Sequence, residues 1–215
     1  MDLLLVRHGR PHRQHAADDG GADPHLTAQG RADADLLADY LAAQPATAPT
    51  VVYSSPMRRA RQTAEAITSR LVVPLRVDDR LREFDHGAPS YVPVELTAPG
   101  ATQAELWRVL ETGVWGRHTF DPDAFARRVD AVFDEIVETN RSTTVAVVCH
   151  GGVINSFLSG VLARPRGMFF QPAYTSVCRV VASGRGRRLL TLNETTHLQL
   201  AATAEPDAGR DRRHA

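Results

Sequence analysis

Two runs of consecutive apolar residues dominate the hydrophobic pattern of the chain, at positions 3–6 and 145–149. Four or five apolar residues without a polar interruption read as strands buried on both faces. Each run ends in a histidine followed by glycine, Arg7-His8-Gly9 in the first case and His150-Gly151-Gly152 in the second. Around them the pattern changes period repeatedly. Thr27 is placed to cap a helix reaching about Ala43, with Leu26, Leu36, Leu37, Tyr40 and Leu41 near helical spacing; Pro45 and Pro49 close it. Residues 51–53 form a short strand, and Ser54-Ser55-Pro56 reads as the start of a helix over 56–70 with Ala60, Ala64 and Ile67 on one face. Another strand is expected at 75–77. A helix over 123–140 carries Phe125, Val129, Val132, Phe133, Ile136 and Val137 as its stripe, and a further helix starts near Gly151. The segments 178–182 and 189–192 read as a hairpin around Gly184-Arg185-Gly186.

Strands alternating with helices predict an α/β fold, a three-layer α/β/α sandwich with a mostly parallel central sheet. In such a sheet ligands bind at the carboxyl ends of the strands, which is where both histidines fall. The stretch 81–116, with Pro89, Pro93 and Pro99, reads as loop with one short helix near 103–110. The expected organisation is one domain over 1–200, carrying an inserted, lid-like segment at about 84–120 over the active-site edge, then a disordered tail at 201–215.

Composition narrows the chemistry. Basic and acidic residues balance at 25 each, which argues against a nucleic-acid binder that relies on bulk charge. All 25 basic residues are arginine, so a catalytic lysine and a Gly-Lys-Ser/Thr phosphate loop are both excluded. The two cysteines, Cys149 and Cys178, form no CxxC pair, and no apolar run approaches membrane-spanning length. The setting these features imply is a reducing cytoplasm, with no membrane partner and no nucleic-acid partner; a homodimer is compatible with them.

Two strand-end histidines that converge from distant parts of the chain suit a nucleophile, a general base or an anion site. An arginine directly before His8 makes electrostatic sense when an anion sits between them. At the third element, Arg58, Arg59 and Arg61 crowd the first turns of a helix whose N-terminus itself favours anions. One arginine should point inward and two to solvent.

Taken together, Arg7-His8-Gly9, Leu26-Thr27-Ala28-Gln29-Gly30, Ser54-Ser55-Pro56 followed by Arg59-Ala60 and Gln62-Thr63-Ala64, then Glu83, and finally Val148-Cys149-His150-Gly151-Gly152, resemble the histidine phosphatase superfamily. That group includes cofactor-dependent phosphoglycerate mutases and the bisphosphatase domain acting on fructose 2,6-bisphosphate, and the resemblance runs over roughly residues 3 to 200. It implies a phosphoglycerate mutase-like fold and a metal-independent phosphomonoester hydrolase needing no cofactor, acting on a small phosphorylated metabolite through a phosphohistidine. By the resemblance His8 is the nucleophile, Arg7, Arg59 and His150 hold the phosphoryl group, and Glu83 is the proton donor. Substrate contacts are expected from Arg7, Gln14, Arg59, His150 and Gly151. The sequence departs from the family pattern at Arg10-Pro11, where an acidic residue is common. It departs again at Gln14, where asparagine is frequent, and at Ala88-Pro89-Ser90, where Trp-Glu-Gly often follows the acid.

Rival readings are weaker on their own terms. A cysteine phosphatase needs arginine six positions after Cys149, where Asn155 stands, and no Gly-x-Ser-x-Gly elbow exists for a serine hydrolase. A metal site built on His8, His12, His15 and His25 would need a helix that Gly9 and Pro11 break. A mutase-type phosphotransferase and a non-catalytic phospho-ligand-binding protein of the same fold stand as the alternatives.

Overall fold

The computed structural model describes residues 1–16, 20–93, 101–183 and 186–204, with the backbone alone at 101–105 and 204. In chain order the elements are β1 (Asp2–Arg7), β2 (Gln14–His15), α1 (Ala28–Ala42), β3 (Val51–Ser54), α2 (Arg58–Leu71), β4 (Leu75–Val77), β5 (Ser90–Tyr91), α3 (Ala101–Thr112), β6 (Val114–Trp115), β7 (His118–Thr119), α4 (Pro122–Thr139), β8 (Thr144–Cys149), α5 (Gly151–Val161), β9 (Val177–Ser183), β10 (Gly186–Glu194) and α6 (Thr196–Ala204). A single 3-10 turn at Asp79–Leu81 precedes Glu83.

Six strands form one sheet in the order β10-β9-β1-β8-β3-β4. The β1/β8, β3/β8 and β3/β4 pairs are parallel, whereas β9 and β10 add an antiparallel hairpin beside β1. Both apolar runs are therefore central strands covered on two faces, as their unbroken hydrophobicity requires. Leu3 and Leu5 face a core shared with Phe125, Val129, Phe133 and Phe157 of α4 and α5. Leu4 and Val6 face the other way, toward Leu37, Leu41, Ala60, Ala64 and Ile67 of α1 and α2. The result is the expected three-layer sandwich.

Local chemistry explains the helix boundaries. The Thr27 hydroxyl accepts the Gly30 N–H at 2.9 Å and caps α1. The buried face of α1 is Ala34, Leu37, Ala38 and Leu41; Leu36 and Tyr40 are only half-buried, against expectation. α2 begins two residues later than the serine–proline pair suggests. Ser55 does not cap it: α2 starts at Arg58 with Met57 as its N-cap, and the Ser55 hydroxyl accepts the Met57 N–H at 3.3 Å and pairs with His150, while Asp23, from a distant loop, accepts the Arg58 N–H at 2.9 Å. In the region 81–116, α3 exceeds the short helix expected there, and β6 and β7 form a small hairpin after it. Residues 94–100 of the expected inserted segment lie outside the described residues. Positions 201–204, assigned by sequence to a tail, end α6, which packs on α1; residues 205–215 lie outside the described residues, as does the turn at 184–185.

Candidate active site

The register of the central strands assembles the site. Arg7 is opposite Cys149 in the β1/β8 pair, and the His8 N–H donates to the Cys149 carbonyl at 3.0 Å. The two histidines thus leave the sheet side by side, their ring centroids 5.1 Å apart. Ser55 leaves β3 at the same edge, its N–H bonded to the Val148 carbonyl. Gly9 and Gly30 let two backbones touch behind the site: a Cβ on Gly9 would lie 2.4 Å from the Gly30 carbonyl oxygen, and one on Gly30 would lie 2.1 Å from that of Arg10. The Gly9 N–H donates to the Thr63 hydroxyl at 2.9 Å, which itself donates to the Arg59 carbonyl at 2.8 Å. Thr63 therefore pins the His8 loop to the helix that carries Arg59.

The partners of His8 fix its tautomer. Its Nδ1 faces the Gly9 carbonyl at 2.8 Å, an acceptor only, so Nδ1 carries the proton. Arg59 Nε donates to His8 Nε2 at 3.3 Å, so Nε2 presents a lone pair. Burial, then the Arg59 and Arg7 charges, push His8 well below its ordinary pKa and keep it neutral. His150 is held neutral by burial first and by Arg59, His8 and Arg7 after it. Its Nε2 pairs with the Ser55 hydroxyl at 2.8 Å.

Arg59 is 1 % exposed and meets both Asp85 carboxylate oxygens through Nη2, at 2.9 and 3.1 Å. Burial works against its charge, but Asp85, Tyr91 and Glu83 outweigh it and raise the pKa. Arg58 and Arg61 are exposed, so one arginine of the three turns inward, as the helix-start argument requires. Arg7 donates to the Pro172 carbonyl at 2.5 Å and lies 4.0 Å over the Tyr174 ring. Tyr174 precedes Thr175, whose backbone is left-handed at φ 57°. The Thr175 hydroxyl donates to the Tyr174 carbonyl and accepts from His197 Nε2 at 2.9 Å, while its N–H donates to the Arg7 carbonyl. This unusual backbone is over-determined by bonds on each side.

Glu83 lies in the turn after Leu81, held by Arg128 of α4, which donates to the carbonyls of Arg80 and Arg82. Its carboxylate accepts the Gly152 N–H at 2.6 Å and the Phe84 N–H at 3.0 Å. Burial and the neighbouring Asp85 nevertheless push its pKa up to about 7, against those two bonds and Arg59. Gly152 is required here, since a Cβ would sit 2.4 Å from Glu83 Oε1.

Arg7, His8, Arg59, Glu83 and Gly151 line one open-mouthed pocket with a cavity volume of about 60 Å³. His150, fully buried beside His8, is not part of that lining. Three buried nitrogens around His8 have no partner in the protein: Arg7 Nε, Arg59 Nη1 and His150 Nδ1. Gln14 stands apart from that lining, in a two-residue strand opposite Tyr91, its side-chain oxygen buried without a partner. Sequence reasoning missed Ser55, Asp85, Tyr91, Thr175 and Tyr174. The signal for Asp85 was its position two residues after Glu83, and that for Ser55 its place in the Ser54-Ser55-Pro56 motif; Tyr91 sits in a two-residue strand, and Tyr174 and Thr175 in a loop, with no periodic pattern. Among the described residues no group of three His, Cys, Asp or Glu side chains could hold a metal ion, and no helix is long and apolar enough to cross a membrane.

The family model of the histidine phosphatase superfamily (branch 1) matches residues 3–195. The chain belongs to that superfamily. Among its relatives, the glucosyl-3-phosphoglycerate phosphatase of Mycolicibacterium vanbaalenii is 29 % identical over 175 residues, covering 76 % of this chain and 75 % of the relative. The probable phosphoglycerate mutase GpmB of Yersinia enterocolitica is 29 % identical over 170 residues, covering 77 % and 76 %. A mycobacterial glucosyl-3-phosphoglycerate phosphatase solved with VO3 superposes with a TM-score of 0.66 at 26 % identity, covering 89 % of this chain and 98 % of that one. The phosphoserine phosphatase of Entamoeba histolytica, solved with 3-phosphoglyceric acid, shares the fold with a TM-score of 0.71 at 20 % identity, covering 92 % and 98 %.

Proposed function

We propose that this member of the histidine phosphatase superfamily hydrolyses the phosphomonoester of a small metabolite through a phosphohistidine at His8. The observation that carries the reading is the set of three unpartnered buried nitrogens, Arg7 Nε, Arg59 Nη1 and His150 Nδ1, in the cluster around His8 Nε2. Buried polar groups without partners are costly, and a phosphoryl group supplies acceptors to both arginine nitrogens and, in the tautomer that carries its proton on Nδ1, to His150. They are the fixed positive ends that phosphoryl transfer needs on the non-bridging oxygens.

In the first step the His8 Nε2 lone pair forms a bond to phosphorus while the bond to the ester oxygen breaks. That electron pair leaves on the oxygen, which takes the Glu83 proton and departs as the alcohol. In the second step the Glu83 carboxylate removes a proton from water, whose oxygen attacks phosphorus. The P–N bond breaks, its electron pair returns to Nε2, and inorganic phosphate leaves. A group with its pKa near 7 can serve as acid and then as base in this way. The cationic side chains lining the pocket, Arg7 and Arg59, are both occupied by one phosphoryl group, which favours hydrolysis over transfer between two phosphorylated acids.

Segment 84–120, expected from sequence to cover the site, supplies Asp85, Tyr91, Val92, Leu106 and Trp115 to the pocket, and we assign it the role of substrate wall. Gln14 we place behind Tyr91 as support for that wall rather than in contact with phosphate. Both cysteines are buried and unpaired, which suits a reducing cytoplasm. Rapid quench with a labelled phosphomonoester tests the reading. The protein should carry a label lost in acid and stable in alkali, and His8→Ala should carry none; an acid-stable label, or one that survives in His8→Ala, refutes it.

A further inference from the structure

We infer that the alcohol part of the substrate is uncharged and largely apolar, so that the ligand is an alkyl- or aryl-type phosphomonoester rather than a phosphorylated acid. The inference rests on the proposed phosphoryl site and adds the identity of what is attached to it. Beyond the phosphoryl-binding groups, the described lining of the pocket is apolar at Phe84, Val92, Leu106, Trp115, Met168 and Pro172, with Asp85, Tyr91 and Gln171 as its polar members. This wall is rigid where it matters. Phe84 packs edge-on to Trp115 at 6.0 Å and stacks on Phe120 at 5.3 Å, and Leu106 and Met168 are buried.

The acid is placed to orient the ester against that wall. Glu83 accepts the N–H of Phe84, so the proton donor for the leaving oxygen is one residue from the first apolar side chain. A substituent on that oxygen has the wall beside it. A second anionic group would find no cation among the described lining residues. With Asp85 already paired to Arg59, a phosphate of charge close to −2 more than uses up the positive charge that Arg7 and Arg59 bring. A carboxylate pressed onto Trp115 and Leu106 would lose water with nothing in return. The relatives named for phosphoglycerate derivatives, and the structural neighbour named for phosphoserine, thus differ from this chain in the group that the pocket should accept.

Binding of non-hydrolysable phosphonates tests this without any turnover. By titration calorimetry, n-alkylphosphonates from ethyl to hexyl should tighten by about fourfold per methylene until the wall is filled. 3-Phosphonopropionate should bind at least roughly tenfold more weakly than n-butylphosphonate. Trp115→Ala should flatten the chain-length series, and Leu106→Arg should reverse the order of the two matched ligands. A flat series in the unmodified protein, or tighter binding of 3-phosphonopropionate, overturns the inference whatever the variants do. Turnover of p-nitrophenyl phosphate reports separately on the proposed activity: a protein that shows the graded binding but no turnover keeps the pocket assignment and refutes the hydrolase.

Discussion

Replacing Glu83 by glutamine removes the one group whose ionisation should couple folding to catalysis. The carboxyl has an ordinary pKa of 4.5 and is pushed up to about 7 in the folded chain, by burial first and by Asp85 second. The folded state therefore holds this proton more tightly than the unfolded one. The stabilisation that results is complete below about pH 4.5 and is lost as pH rises through about 7. The whole difference corresponds to about 3 kcal/mol, of which about 2 kcal/mol falls between roughly pH 5.5 and pH 8.5. The glutamine variant cannot ionise. At low pH it should be the less stable protein by about 1–3 kcal/mol, because its amide must set an NH₂ against the N–H of Gly152 or Phe84. As pH rises, the wild-type protein loses stability that the variant does not, and the gap should close by about 2 kcal/mol. Urea unfolding of both proteins without ligand, followed by tryptophan fluorescence, measures it; groups that titrate alike in both cancel in the difference. A gap that stays constant or widens toward high pH would refute the raised pKa, and with it the argument that Glu83 is protonated when substrate arrives. The kinetic counterpart is a fall in kcat/KM on an alkyl phosphate of about tenfold per pH unit above 7, much shallower for p-nitrophenyl phosphate, whose leaving group needs no proton.

Gly152→Ala should damage alkyl phosphate hydrolysis by more than about tenfold while sparing p-nitrophenyl phosphate, because the new methyl group displaces the acid and not the nucleophile; equal losses on both substrates would contradict this. Arg59→Met should lower activity by about 10²–10³-fold and stability by about 3–5 kcal/mol, since it strands Asp85 without its partner. The double variant Arg59→Met/Asp85→Leu should recover most of the stability and none of the activity, as read by thermal unfolding and phosphate release. Phosphate release should be unchanged in EDTA, the charge on the phosphoryl oxygens being met by Arg7, Arg59 and His150; loss restored by a divalent ion would show that a metal takes part.

The parts of the site that were readable in advance are those delivered by regular structure. Short unbroken apolar runs alternating with helical segments read as central strands, and residues at their ends inherit a common edge, so Arg7, His8 and His150 meet without any knowledge of the loops. Arg59 was readable as one inward arginine of three because α2 has a buried face. Asp85 and Tyr174 were not, since nothing periodic sets the path of 82–93 or 171–176. Ser55 shows how a local rule misleads when a tertiary partner competes. Serine before proline is a good helix start, but the Ser55 hydroxyl is shared between the Met57 N–H and His150, and the first helical N–H, that of Arg58, goes to Asp23. Likewise 201–204 looked like tail by composition, yet α6 continues through it.

The contact of Gly9 with Gly30 bears on how the molecule opens. With no side chain between them, the loop after His8 and the first turn of α1 share one surface, and Thr27 ties them again by donating to the Arg10 carbonyl. Neither segment has room to fluctuate while the other stays in place. The amide protons of Gly9 and Gly30, far apart in sequence, should then be released to solvent in a single sub-global event. Helix ends ordinarily fray first, but the beginning of α1 is bound to the loop that follows the central strand β1, and its motion is the motion of the His8 loop.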